Sequence, residues 1–330
     1  MRAFVTGGTG FVGSNLVAAL AERGIEVRVL HRPGSNLAGL RGVDYRGCIG
    51  DVLDDADTLA GHMAGCQWVF HTAAIADYWR YRGRKQLYRT NIDGTRNVAT
   101  AALRAGAERF VFTSSLAAMG VPAPGRMLTE ADEYNLPARR FPYAYSKHLA
   151  ERELRRVAGA GLAAVTVNPS VVIGPGDVNR IASAMVVEAA RGRLRVAAPG
   201  GTNFVAVSDV VAGHIAAAER GRTGQRYLLV GENLSFPDAF ATVCDIVGQP
   251  APKLVLPRWT IPVAAAGVAA ARAVAGPRLP IDAKQMRLSA LGLYADGAKA
   301  RRELGMPLTP FRTAIRSAYT WYADNGYLDR

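Results

Sequence analysis

The run Thr6-Gly7-Gly8-Thr9-Gly10-Phe11-Val12-Gly13 constrains this chain more than any other segment. It follows an apolar stretch at once and leads straight into a helical pattern. Glycine allows a tight turn, lets the backbone come close to a pyrophosphate and lets helix pack on strand, while the helix start offers unpaired N–H groups to an anion. Strand before, helix after and three spaced glycines together predict a dinucleotide site, where isolated glycines would only close a turn.

Apolar β-branched runs then alternate with helical patterns, the signal for βαβ units around a parallel sheet. The patterns predict strands over 3–6, 26–30, 43–46, 68–71, 110–113 and 164–167, and helices over 11–23, 55–62, 86–105 and 143–158. The expectation is an α/β fold, a Rossmann-type doubly wound parallel sheet with a smaller C-terminal α+β lobe. Residues 1–170 would form the nucleotide domain. Residues 171–330, punctuated by Gly174, Pro175, Gly176, Pro199, Gly200 and Gly201, would form mainly a substrate-binding lobe interleaved with late sheet strands.

Several function classes lose support from composition. Cys48, Cys66 and Cys244 are odd in number with no CxxC spacing, and the five histidines show no metal-ligand spacing. No metal is expected. The net charge of +13 comes from scattered residues. One dense cluster, Arg80, Arg82, Arg84 and Lys85 among Tyr78, Trp79 and Tyr81, reads as a solvated loop or substrate wall rather than a nucleic-acid grip. No targeting segment precedes the first strand, so the expected location is cytoplasmic. The apolar stretch 259–276 is broken by Pro262, Gly267 and Arg272 and falls short of the ~20 residues a span needs. It is an alanine-rich packed helix, a helix lying on a membrane, or a cover over an apolar substrate. A homodimer stays open.

Tyr143 and Lys147 are four residues apart, hence on one face of the helix over 143–158. An ammonium there favours the tyrosinate and is expected to lower the phenol's pKa toward neutrality. At the end of the second strand, where an NAD enzyme offers a carboxylate to the ribose, this chain has His31 and Arg32. A guanidinium suits a 2′-phosphate, so NADP(H) is expected ahead of NAD(H).

With GxxGxxG at Gly7, Gly10 and Gly13 and YxxxK at Tyr143 and Lys147, the chain resembles the extended short-chain dehydrogenase/reductase family. The resemblance is specific through about Ser170 and looser afterward. It implies that Gly7, Thr9, Gly10, Phe11, Val12 and Gly13 hold the cofactor phosphates, and that Asp51 and Val52 lie near the adenine. Thr72, Ala73 and Ala74 would pass by the ribose and pyrophosphate, with Thr113, Pro169 and Val171 near the nicotinamide. Counting back from Gly120 makes Ser115 the active-site hydroxyl, one residue from Ser114. Asn91 would hold the site's architecture, and Lys147 would anchor the ribose.

Within that family, dehydratases carry an Asp-Glu pair where this chain has Leu116 and Ala117, and nucleotide-sugar epimerases carry an arginine where it has Thr202. The pattern is more similar to dihydroflavonol reductases, hydroxysteroid dehydrogenases and hopanoid-associated bacterial members, the last also through Asn325-Gly326-Tyr327-Leu328. The implied reaction is hydride transfer to or from a carbonyl or secondary alcohol of a small, apolar substrate. Ser115, Tyr78, Met119, Tyr145, Asn179 and Phe204 are the expected substrate contacts. Epimerisation with bound NAD(P) and a non-catalytic NADP sensor are the alternatives.

Overall fold

The computed structural model describes residues 1–76, 84–178, 183–275 and 283–328. Tyr78 and Asn179, with Arg80 and Arg82 of the basic cluster, lie outside the described residues.

Strands β1 (Arg2–Thr6), β2 (Glu26–His31), β3 (Arg46–Ile49), β4 (Trp68–His71), β5 (Arg109–Thr113) and β6 (Ala164–Pro169) are followed by β7 (Val171–Ile173), β8 (Val196–Ala197), β9 (Gly201–Ala206), β10 (Arg226–Leu229), β11 (Glu232–Ser235), β12 (Leu254–Val255) and β13 (Gly292–Leu293). Seven of them make one parallel sheet in the order β3-β2-β1-β4-β5-β6-β10. The chain steps outward from β1 to β3, then crosses back to β4. The crevice at the carboxyl ends of β1 and β4 is therefore the switch point at which such sheets take ligands.

Helices α1 (Phe11–Glu22), α2 (Ala56–Met63), α3 (Arg84–Tyr88), α4 (Gly94–Arg104), α5 (Pro142–Ala158), α6 (Ala184–Ala190), α7 (Val207–Arg220), α8 (Phe236–Ile246), α9 (Ile261–Ala275), α10 (Ala283–Leu288), α11 (Ala298–Leu304) and α12 (Phe311–Asp324) complete the fold. Parallel strands between two helix layers must be apolar on both faces. In β1, Ala3 and Val5 meet Leu16, Val17 and Leu20 of α1 and Val210 and Ile215 of α7 on one side. On the other, Phe4 meets Leu59 of α2, Val98 of α4 and Leu154 of α5. Burying each large side chain of this kind contributes about 1.5–3 kcal/mol.

Beyond Pro169 the chain builds a second cluster, in which β9 pairs with β7, β11 and β13. Ile173, Phe204, Val243, Phe311, Ile315 and Tyr322 fill it between α6, α8 and α12. Residues from this half also return to the main sheet, through β10 at its edge and through α7 and α11 on its face.

Two expectations shift. The third strand runs over Arg46–Ile49, not 43–46, because Val43 and Tyr45 pack as loop residues on the core, whereas the strand itself, at the sheet edge, buries only Cys48. The helix expected over 86–105 is interrupted by a π-helical turn over Arg89–Asp93, which carries Asn91 into the interior.

Two histidines are sealed inside. His71 Nδ1 lies 2.7 Å from Thr6 Oγ1 and Nε2 3.0 Å from Thr95 Oγ1. His214 Nε2 lies 2.8 Å from Thr113 Oγ1 and Nδ1 2.7 Å from Val210 O. Burial pushes His71 down to about 3 and His214 down to about 4. A base depressed in the folded state leaves the unfolded chain binding more protons, so stability present above pH 6.5 is lost as pH falls toward the folded values. Between pH 6.5 and 5 each histidine should remove on the order of 1.5 kcal/mol. Urea unfolding at the two pH values checks this; a midpoint that does not fall at pH 5 would mean the rings are protonated in the folded protein.

Candidate active site

The crevice is assembled at the carboxyl ends of β1, β2, β4, β5 and β6. At the first, Gly7 has φ of 71°, a left-handed conformation, and a Cβ there would strike the backbone of Ala73 and the hydroxyl of Thr72. A Cβ on Gly13 would strike the carbonyl oxygen of Gly7. The glycines thus let the start of α1 settle against the ends of β1 and β4. Gly10 caps α1 with no side-chain hydrogen bond, so the first-turn N–H groups keep their appetite for an anion. Thr9, Gly10, Phe11 and Val12 are half-buried around this turn. A dinucleotide pyrophosphate fits both the room and the donors.

Thr72 and Ala73 are tied to β1. Thr72 donates its N–H to Thr6 O at 3.1 Å and its hydroxyl to the same oxygen at 2.8 Å. Ala73 N donates to Thr6 Oγ1 at 3.4 Å. Thr95 gives its own proton to Asn91 O at 2.7 Å, so it must accept from His71 Nε2, and Thr6 in turn donates to His71 Nδ1. The neutral imidazole is a fixed strut between β1 and α4.

Asn91 is buried, accepts from Ile75 N at 2.8 Å and donates to Ile75 O at 3.2 Å and to Ser146 Oγ at 2.9 Å. Ser146 donates onward to Tyr143 O at 2.7 Å. The amide therefore clamps the segment after β4 to the first turn of α5, which begins with Pro142 at its preferred position.

On α5, Tyr143 is half-buried and hydrogen-bonds Ser115, the residue that caps the short 3-10 turn Leu116–Met119 after β5. Lys147 is 2% exposed, donates to Thr113 O at 2.7 Å and lies over the Phe112 ring at 4.9 Å. Burial lowers the Lys147 pKa to about 7, with the nearby Glu151 carboxylate opposing the fall. The expected lowering of Tyr143 is corrected. Burial pushes the phenol up, its hydrogen bond to Ser115 working the other way, and the lysine itself is held against a backbone carbonyl and weakened as a cation.

Behind these residues stands Glu151, which the sequence reading passed over. It is 2% exposed; Oε1 accepts from Ser114 Oγ at 2.5 Å and Asn168 Nδ2 at 2.8 Å, and Oε2 accepts from Arg226 Nη2 at 3.0 Å. Asn168 Nδ2 also donates to Ser115 O at 3.0 Å. The signal was available, since Glu151 stands four residues beyond Lys147 and eight beyond Tyr143 on the same helical face. Ser114, the one-residue alternative to Ser115, gives its hydroxyl proton to this carboxylate, whereas Ser115 is the residue that hydrogen-bonds Tyr143.

The remaining expected residues divide. His31 and Arg32 stand at the end of β2, the guanidinium exposed and the imidazole Nδ1 3.3 Å from Arg32 O. Asp51 accepts from Leu53 N at 3.0 Å with one oxygen, while Val52 is buried against Gly94. Thr113 turns its hydroxyl inward to His214, so only its carbonyl faces Lys147. Ala74 and Val171 are half-buried and Pro169 is buried at the end of β6. Two substrate contacts are corrected: Met119 and Phe204 are core residues, the first beside Leu228, the second 4.8 Å ring to ring from Phe311. Tyr145 remains half-exposed in an aromatic group with Tyr88, Tyr134 and His148.

Residues 3–230 match the model of the NAD dependent epimerase/dehydratase family. The chain is 39% identical over 335 residues to a Synechocystis sp. protein named as a candidate dihydroflavonol 4-reductase, covering 98% of this chain and 95% of the relative. It is 32% identical to sterol demethylase protein B of Methylococcus capsulatus, covering 99% and 100% of the two. The crystal structure of gox2253 superposes with a TM-score of 0.86 at 33% identity, covering 98% of each chain. With the parallel sheet, the glycine turn and the Ser115–Tyr143–Lys147 geometry in place, the chain belongs to the NAD-dependent epimerase/dehydratase family of extended short-chain dehydrogenases/reductases.

Proposed function

We propose that the chain is an NADP(H)-dependent oxidoreductase acting between a carbonyl and a secondary alcohol of a small apolar substrate. The observation that carries the reading is the hydrogen bond between the Ser115 and Tyr143 hydroxyls at the end of β5, with Lys147 one turn below on the same helix.

Gly7, Gly10 and Gly13 would take the pyrophosphate, Arg32 the 2′-phosphate and Lys147 the ribose; bound NADPH supplies the hydride. Ser115 and Tyr143 orient the substrate oxygen, and Tyr143 delivers the proton that the oxygen needs as it becomes an alcohol. Lys147, with a pKa near 7, is suited to share that proton at neutral pH. Leu116 and Ala117 offer no acid or base for elimination. Thr202 is a buried residue of β9 paired with Leu234, which disfavours an anionic diphosphate at that point.

Fluorescence titration should show NADPH binding at least tenfold tighter than NADH, with Arg32→Asp abolishing the difference. Equal affinities in the unaltered protein would remove the NADP(H) assignment. Micromolar binding of UDP-glucose by calorimetry would instead favour the epimerase reading.

Tyr143→Phe should slow single-turnover reduction by about 10²–10⁴ while cofactor affinity hardly moves. An unchanged chemical step would exclude Tyr143 as the acid.

Glu151→Gln keeps the shape of the side chain and removes its charge. With Glu151 no longer raising it, the Lys147 pKa should fall further, moving the basic limb of the pH–rate profile to lower pH and reducing kcat more than it alters KM. A reduced rate with an unmoved limb would show that Glu151 supports only the fold.

A further inference from the structure

Helix α9, Ile261–Ala275, buries only Ile261 and Ala265 among its described side chains. The face opposite these two carries Val263, Ala266, Ala270 and Val274, where a helix packed on a water-soluble protein places polar groups. Val263 is 72% exposed and Val274 92% exposed, and Trp259, just before the helix, is 78% exposed. Leu254, in the short strand leading to it, is 54% exposed. An apolar surface of this kind, on both faces of one helix, marks an interaction site rather than a scatter of single exposed residues.

The charges say what kind of phase covers it. From residue 246 to 281 the chain contains Lys253, Arg258, Arg272 and Arg278 and no Asp or Glu. Lys253 and Arg258 are exposed beside Trp259. Fifteen residues make a helix of about 22 Å, too short to cross a hydrocarbon core of about 30 Å. No helix among the described residues is long and apolar enough to cross a membrane. Apolar flank, tryptophan and uniformly basic neighbours match a helix lying in the plane of an anionic lipid surface.

We propose that the segment Lys253–Val274 docks this protein on anionic membrane surfaces, with Trp259, Val263 and Val274 entering the interface and Lys253 and Arg258 meeting lipid phosphates. The proposal is independent of the reaction assigned above.

The test is flotation of the full chain with phosphatidylcholine vesicles and with phosphatidylcholine/phosphatidylglycerol vesicles, at low and at high salt. Partitioning should be at least tenfold stronger on the anionic vesicles and fall with salt. The triple variant Trp259→Ser, Val263→Ser, Val274→Ser alters only exposed side chains, so its unfolding midpoint should be unchanged. It keeps the full charge of the chain and should still lose about tenfold in partitioning. Lys253→Glu with Arg258→Glu should lose the preference for anionic lipid. Equal partitioning onto both vesicle types would overturn the proposal. So would a triple variant that binds as the unaltered protein does, which would assign the effect to bulk charge. So would failure to float combined with a dimer by light scattering that the triple variant dissolves, which would assign the face to a second copy of the chain.

Discussion

A lysine ammonium held out of water against one backbone carbonyl organises this molecule. Lys147 donates to Thr113 O from a position almost wholly closed to solvent, and each neighbour is arranged to make that tolerable. The Thr113 hydroxyl is turned away and fixed by His214; the Phe112 ring lies beneath the charge; Glu151 sits one turn further along the helix. Burial of an unpaired charge would simply neutralise it. Here the opposing carboxylate leaves it poised between its two forms at neutral pH.

The carboxylate needs its own support. Ser114, Asn168 and Arg226 all donate to it, and Asn168 reaches on to the backbone of Ser115. The Ser115–Tyr143 pair and the ammonium behind it are thus braced from β6, from β10 and from Ser114 just after β5. Breaking one partner of such a buried pair costs about 3–5 kcal/mol, because the other charge is left without compensation.

Much of this was legible from residue patterns. The close seat of α1 against β1 and β4 was readable from the glycine turn, because a Cβ at Gly7 or Gly13 would force them apart. Tyr143 and Lys147 declared their shared face by spacing alone. The electrostatics were not legible: Tyr143 was expected low and is pushed high, since spacing reports proximity and says nothing about how much water each group has lost. Met119 and Phe204 were taken for walls because apolar residues of cores and of pockets look alike in sequence, and only burial separates them. The third strand slipped by three residues because an edge strand buries one side chain in four and leaves almost no periodic signal.

Arg226 has a consequence for how the molecule comes into being. It lies 75 residues beyond Glu151 and enters the sheet as its last strand. On a chain emerging from the ribosome, the glycine turn, Ser115, Tyr143 and Lys147 are all made before the guanidinium that pairs with Glu151. Until β10 docks, the Glu151 carboxylate has Ser114, Asn168 and the more distant Arg155 guanidinium at 3.7 Å but lacks its 3.0 Å partner, so α5 is held less firmly against the sheet. Docking of the outermost strand is therefore what completes the ion pair that fixes α5 against the sheet.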